Sequence, residues 1–251
     1  MSSSKEWYFA VENQNMRKWM SETYGVSEDI EEDTPEWEEM AEAYQNMIDG
    51  EDYEAEMQWF AEHPYHEIYD SYTIKMHQLQ NMLSSDSDSY LDQMKHQMMY
   101  SHAVTLFEAM VGDIIKASVK TFPHMMERLT QGCANIETEK YTLKDIIKHN
   151  GVEGIAMLKL NDLTFHNIRI VEQYVNILSE GKLNSSHKSD MFKITSMRHD
   201  FVHRNGATKD GDYHKINGKA VDSTIEKILR YSVDVYKAIS DAAEKRNDAK
   251  F

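Results

Sequence analysis

Residues 197–206 read Met-Arg-His-Asp-Phe-Val-His-Arg-Asn-Gly, a stretch in which several ionisable side chains crowd an otherwise apolar helical segment. Arg198 and His203 are the two with the clearest chemistry. A guanidinium presents a planar fork of donors suited to a phosphate, and an imidazole, titrating at about pH 6.5, can take or give a proton near neutrality. His199 and His203 also stand four residues apart on one helix face, as zinc ligands can. The Glu of H-E-x-x-H and a third ligand are missing, however. The plainest alternative is a structural arginine beside a surface histidine.

The helix that must carry these residues is delimited by Ser189 or Asp190 as N-cap and by Asn205-Gly206 as its left-handed stop. With Ile194 at 0° and about 100° per residue, Met191, Met197, Phe201 and Val202 fall at about 60°, 300°, 340° and 80°, a core-facing stripe. Arg198, at about 40°, lies inside that stripe, while His199 and His203 share its far edge at about 140° and 180°. Burying an unpaired guanidinium is costly, so Arg198 requires a carboxylate, a phosphate or a wet cleft. A second long helix, predicted over Tyr90–Lys120, lines up Val104, Phe107, Val111, Ile115 and Val119, with Glu108 about 40° from Val104 and again within the stripe. Two opposite charges, each inside the apolar stripe of a long helix, predict that Glu108 and Arg198 meet. Asp200, at about 240°, reads as a solvated or orienting group. Arg204 suits a phosphate contact or a cation at the helix C-terminus equally well.

The run Arg-His-Asp-Phe-Val-His-Arg-Asn-Gly at 198–206 carries the R-x-x-x-x-H signature and resembles the motif of the HEPN superfamily of all-α ribonucleases and nucleotide-binding proteins. Ala207-Thr208-Lys209-Asp210-Gly211 is similar to the tail of its bacterial RiboL-PSP-HEPN branch. The resemblance implies an all-α bundle and metal-independent RNA cleavage without a cofactor, giving a 2′,3′-cyclic phosphate and a 5′-hydroxyl. Its setting would be a toxin or an anti-phage, abortive-infection effector. His203 would then act as general acid or base, and Arg198 would hold the scissile phosphate, with Glu108 as the acidic residue of the long early helix. His199, Asp200, Arg204, Asn205 and Lys209 would support the motif or contact RNA, transfer RNA being one candidate. Because residues five apart on a regular helix diverge by about 140°, Arg198 and His203 do not converge on one small group within one helix. HEPN ribonucleases resemble a solution in which two motifs face each other, which implies a homodimer through this domain. The alternative within the same resemblance is a non-catalytic module that binds a nucleotide or a protein.

Charge separates the chain into two regions. Residues 1–100 carry 23 acidic and 5 basic side chains, against 20 and 22 in residues 101–251. Only the second region can readily approach a polyanion. The expected organisation is therefore an acidic helical region over 1–85 and a HEPN-like helical domain over 86–251, with the polar stretch Ser84–Ser89 at the boundary. Trp37, Met40, Tyr44, Met47 and Ile48 recur at helical spacing after Thr34-Pro35, and Asp49-Gly50 reads as the stop. This region reads either as a solubilising cap, or as an electrostatic lid over the basic rim, or as a surface offering Trp37 and Trp59 to a protein partner or trigger.

Three Pro and ten Gly among 251 residues favour helices over sheets. One cysteine, Cys133, precludes an internal disulfide framework and fits a reducing compartment. Apolar runs are too short for a membrane span or signal peptide, so the expected address is the cytoplasm. Thr142 is read as a cap for Leu143–Lys148, and Pro123 as a helix start. Residues 213–221, containing Asn217-Gly218, are read as a short β-hairpin. A last helix capped by Asp222 or Ser223 is expected to turn Ile225, Ile228, Leu229, Val233, Tyr236 and Ile239 inward.

Overall fold

The computed structural model describes residues 4–32, 34–83, 90–133 and 139–244. Among them are ten helices and no strand: α1 (Ser4–Tyr24), α2 (Pro35–Glu62), α3 (Tyr65–Asn81), α4 (Tyr90–Thr121), α5 (Pro123–Gly132), α6 (Leu143–Lys148), α7 (Gly151–Asn161), α8 (Ile168–Ser179), α9 (Lys188–His203) and α10 (Gly218–Glu244). The all-α expectation is met. No helix among the described residues is long and apolar enough to cross a membrane.

The chain forms two compact units, Met1–Gln58 and Trp59–Phe251. The division lies earlier than the change of composition near residue 85. Helix α3 belongs with the second unit, where Tyr72 bonds Ser232 at 2.8 Å and Gln80 donates to Asp222 at 2.7 Å. The expected boundary stretch Ser84–Ser89 lies outside the described residues.

In the first unit, Met20, Trp37 and Met40 form a small core to which Met16, Trp19, Val26 and Ile30 add. Arg17 ties the acidic loop to it, donating to the carbonyls of Glu28 (2.8 Å) and Ile30 (2.9 Å) and to Glu32 (2.5 Å) while its guanidinium lies 4.6 Å from the centre of the Trp37 ring. Trp37 is thus buried, which corrects its reading as a surface offered to a partner. Trp59 remains 40% exposed, stacked on His63. Helix α2 starts as expected, with Thr34 Oγ1 accepting from the Trp37 amide at 3.2 Å. It does not stop at Asp49-Gly50. A helical glycine costs only about 1 kcal/mol, which the helix formers on both sides offset.

The second unit is organised around α4, which packs against α3, α5, α7, α8, α9 and α10. Its stripe is the core: Val104, Phe107, Val111, Ile115 and Val119 are all essentially inaccessible. Short elements follow local signals. Thr142 and Asp145 cap α6 reciprocally, and Pro123 opens α5.

Two expectations near the C-terminus are corrected. Residues 213–221 form no hairpin: Asn217 caps α10, its Oδ1 accepting from the Ala220 amide at 2.9 Å, and Gly218 is the first helical residue. Asn is as good an N-cap as it is a turn residue, and the long amphipathic stretch behind it decides for the helix. The cap therefore lies ahead of Asp222 and Ser223. Starting from this cap, α10 buries Val221, Ile225, Ile228, Tyr231, Val235 and Ile239, whereas Val233 is half exposed.

Tyr231 is fully buried beside Phe107, and its hydroxyl has no hydrogen-bond partner among the described residues. An orphaned buried hydroxyl costs about 1–3 kcal/mol. Tyr231→Phe is accordingly expected to stabilise the protein by about 1 kcal/mol, read as a higher urea midpoint at unchanged slope; a lower midpoint would mean that the hydroxyl is satisfied.

Candidate functional site

The motif occupies the last turns of α9 and the loop beyond. The helix begins at Lys188, one or two residues before the expected caps, with His187 in the cap position. Met191, Ile194 and Phe201 are buried as the stripe predicts, Met197 is partly buried, and Val202 at its margin is half exposed. Arg198 lies between them, half buried. Its Nε is shut off from solvent without a hydrogen-bond partner, and no hydrogen bond or ion pair is made by its guanidinium among the described residues.

The expected Glu108–Arg198 pair is not formed within the chain. Glu108 Oε1 instead bonds His166 Nδ1 at 2.9 Å. The neighbouring turn of α4 explains why. Gly112, four residues on, lies against Phe165, so close that a Cβ there would sit 3.2 Å from the ring. That side of α4 faces the loop between α7 and α8 and not α9. His166, from that loop, is the partner of Glu108 that no sequence signal announces.

The end of α9 is built by its own backbone. The Asp200 carbonyl accepts from both Arg204 N and Gly206 N at 3.0 Å, and Asn205 (φ 51°) and Gly206 (φ 85°) turn the chain left-handed. Gly206 suits this φ, and a Cβ there would meet the far end of the Gln97 side chain at 2.9 Å, which would then have to move. The chain then doubles back, with Thr208 N donating to Asp212 O (2.7 Å), an isolated bridge between Ala207 and Tyr213, and His214 N donating to Gly206 O (3.0 Å). This return sets His214 beside the helix it left.

Asp200 is the hub of the arrangement. Its carboxylate accepts from Arg204 Nη1 and, at 2.9 Å, from His214 Nε2. The His214 bond and then the Arg204 guanidinium hold the Asp200 carboxyl below its ordinary range. Arg204 therefore has a carboxylate partner in its own chain, one turn back. A carboxyl whose folded pKa is lowered contributes stability above its unfolded value, and this is lost as pH falls through the folded value. The gap in melting temperature between the protein and Asp200→Asn is expected to be full above about pH 4 and to close in stronger acid. A gap that persists or widens there would contradict the ionic role.

His199 and His203 are both exposed, with ring centres 4.6 Å apart. Partial desolvation, then His203 and Arg204, lower the His199 pKa against the opposing pull of Asp200. His199 is thus biased toward the neutral, proton-accepting form. Lys209 is exposed on the return loop. No group of three or more His, Cys, Asp or Glu side chains among the described residues could hold a metal ion.

The structure thus brings together His199, His203, Asp200 and Arg204, adds His214, leaves Arg198 on the buried side of the same helix, and sets Glu108 apart with His166. Beside them, cavities of about 460 Å³ and 350 Å³ share His214 in their walls, the second also lined by Lys193, Ser196 and Asp200. No family model matches the chain, and no curated protein or solved structure matches it either.

Proposed function

We propose that this protein is a metal-independent endoribonuclease of the HEPN type, working as a homodimer in which the ends of two α9 helices face each other. The observation that carries this reading is the unpartnered Arg198 Nε, buried in the stripe of a helix whose end displays His199 and His203. A half-buried guanidinium whose Nε is shut off from solvent without an acceptor is poorly satisfied. An RNA phosphate supplies the missing acceptor, and a second copy of the helix supplies the imidazole that Arg198 cannot meet across about 140° of its own helix.

In the reaction, the ribose 2′-oxygen attacks the adjacent phosphorus while the 5′-oxygen of the next nucleotide leaves. One proton must be removed from the 2′-hydroxyl and one delivered to the leaving oxygen. His203 serves as one of these proton carriers, and Arg198 stabilises the charge that builds on the phosphoryl oxygens. Asp200 is a positioning residue, fixing Arg204 and the return loop rather than touching substrate. A toxic or anti-phage role follows only by resemblance of the motif.

The test is incubation of the purified protein with transfer RNA and total RNA in EDTA. Cleavage by the wild-type chain but not by Arg198→Ala or His203→Ala supports the enzyme. RNA left intact by the dimer favours a binding module instead.

A further inference from the structure

The 460 Å³ cavity lies between α4 and the loop that leaves α9, within the size range of small-molecule sites, about 300–1,000 Å³. Its wall chemistry is specific. Gln97 and Asn205 bring two carboxamides, Tyr213 brings an aromatic ring that is 68% exposed, and His214 and Lys215 bring the basic groups. Gln93 fixes the rim, its Oε1 accepting from the Ile216 amide at 3.1 Å. The Gln97 side-chain amide, by contrast, makes no hydrogen bond among the described residues, and it lies where a Cβ on Gly206 would meet it at 2.9 Å. An unspent carboxamide offers a donor and an acceptor side by side, the pattern that matches one edge of an adenine. A free aromatic face at the same cavity is what an unstacked base needs.

The cavity is also placed on a track. His214 is shared with the 350 Å³ cavity, which shares Phe192 and Lys193 with a third, of about 540 Å³, lined by Ser186 and Lys188. The rings of Phe192 and His214 and the cation of Lys193 thus alternate along this side of α9, past Ser196 at about 200° and next to His203 at about 180°, with the Asp200 carboxylate buried beside them and Lys188 paired to Glu172. Such alternation suits a single strand, whose phosphates meet the cations while its bases find rings.

We propose that this cavity binds an unpaired adenine of single-stranded RNA, read by Gln97 and stacked on Tyr213, while the strand continues past His214 toward Lys193. The proposal rests on the ribonuclease reading for the identity of the polymer. It assigns that enzyme a sequence preference, with adenine beside the cleaved bond.

The probe is a set of fluorescent 2′-O-methyl oligouridines carrying one central adenine, cytosine or guanine, which cannot be cleaved by 2′-hydroxyl attack. Anisotropy titration of the full chain is expected to give about tenfold tighter binding of the adenine oligomer. Gln97→Leu should erase that preference. Tyr213→Ala should weaken binding of all the oligomers about tenfold, and Tyr213→Phe should restore it. Tyr213 is exposed, so its variants test the ring without testing the fold. Equal affinity for the three oligomers, or a preference that survives both Gln97→Leu and Tyr213→Ala, overturns the proposal. RNA cleavage in EDTA without any base preference sinks the pocket alone, whereas adenine-selective binding by a protein that leaves RNA intact keeps the pocket and removes the enzyme.

Discussion

Arg198→Met is expected to lower RNA cleavage about 10²–10³-fold while leaving the melting temperature unchanged or raising it. The two effects are predicted to separate because they come from different states of the same side chain. In the folded chain the Arg198 Nε is buried without a partner among the described residues, so it contributes an unsatisfied donor and not a bond. Methionine has a similar length and no donor to desolvate, and replacing a poorly paired buried polar group by an apolar one is often neutral or stabilising. In the proposed transition state the guanidinium would face an oxygen that is gaining negative charge, and methionine would offer nothing there. Initial rates on transfer RNA and a thermal melt decide the matter together. A variant that retains activity would remove Arg198 from the chemistry. A marked fall in melting temperature would mean that the guanidinium has a structural partner after all.

His203→Ala is expected to cost about 10²–10⁴-fold in rate, the usual worth of a positioned general acid or base. The side chain is exposed at the end of α9, so its removal should hardly move stability, changes at such sites being typically within about 0.5 kcal/mol. His199→Ala should cost less, since His199 shares the surface but stands one turn further back. A composite site adds a sharper expectation. If one chain supplies Arg198 and the other His203, inactive Arg198→Ala and His203→Ala chains should regain activity when unfolded and refolded together, because each mixed dimer contains one site with both residues. Mixtures as inactive as the separate variants would place both residues in one chain's site.

The residues that carry these predictions were legible because helical periodicity needs nothing but the sequence. The stripe of α4 and the position of Arg198 on α9 both follow from spacing, and the structure has both. Partners across space were not legible in the same way. A helical wheel tells which side of α4 is apolar, but it does not tell which neighbour covers Glu108, and His166 arrives from a loop 58 residues later. His214 was hidden for a related reason. Its bond to Asp200 depends on the left-handed turn at Asn205-Gly206 and on the return through Ala207 and Tyr213, none of which has a period to detect. Asn217-Gly218 misled because a hairpin turn and a helix cap select the same residues, and only the amphipathic length behind them separates the two. Gly50 misled because one glycine is a weak stop against strong helix formers. At Trp37 the apolar spacing was right, but the residues meant to cover it, Met20 and Met40, lie partly on another helix.

The central claim, cleavage by attack of the 2′-hydroxyl without a metal, is tested most directly by the chemical ends of the product RNA formed in EDTA. The account predicts a 2′,3′-cyclic phosphate on one fragment and a 5′-hydroxyl on the other, with no cut where the nucleotide before the bond is 2′-deoxy. Fragments ending in 3′-hydroxyl and 5′-phosphate, or efficient cutting at the 2′-deoxy position, would contradict it.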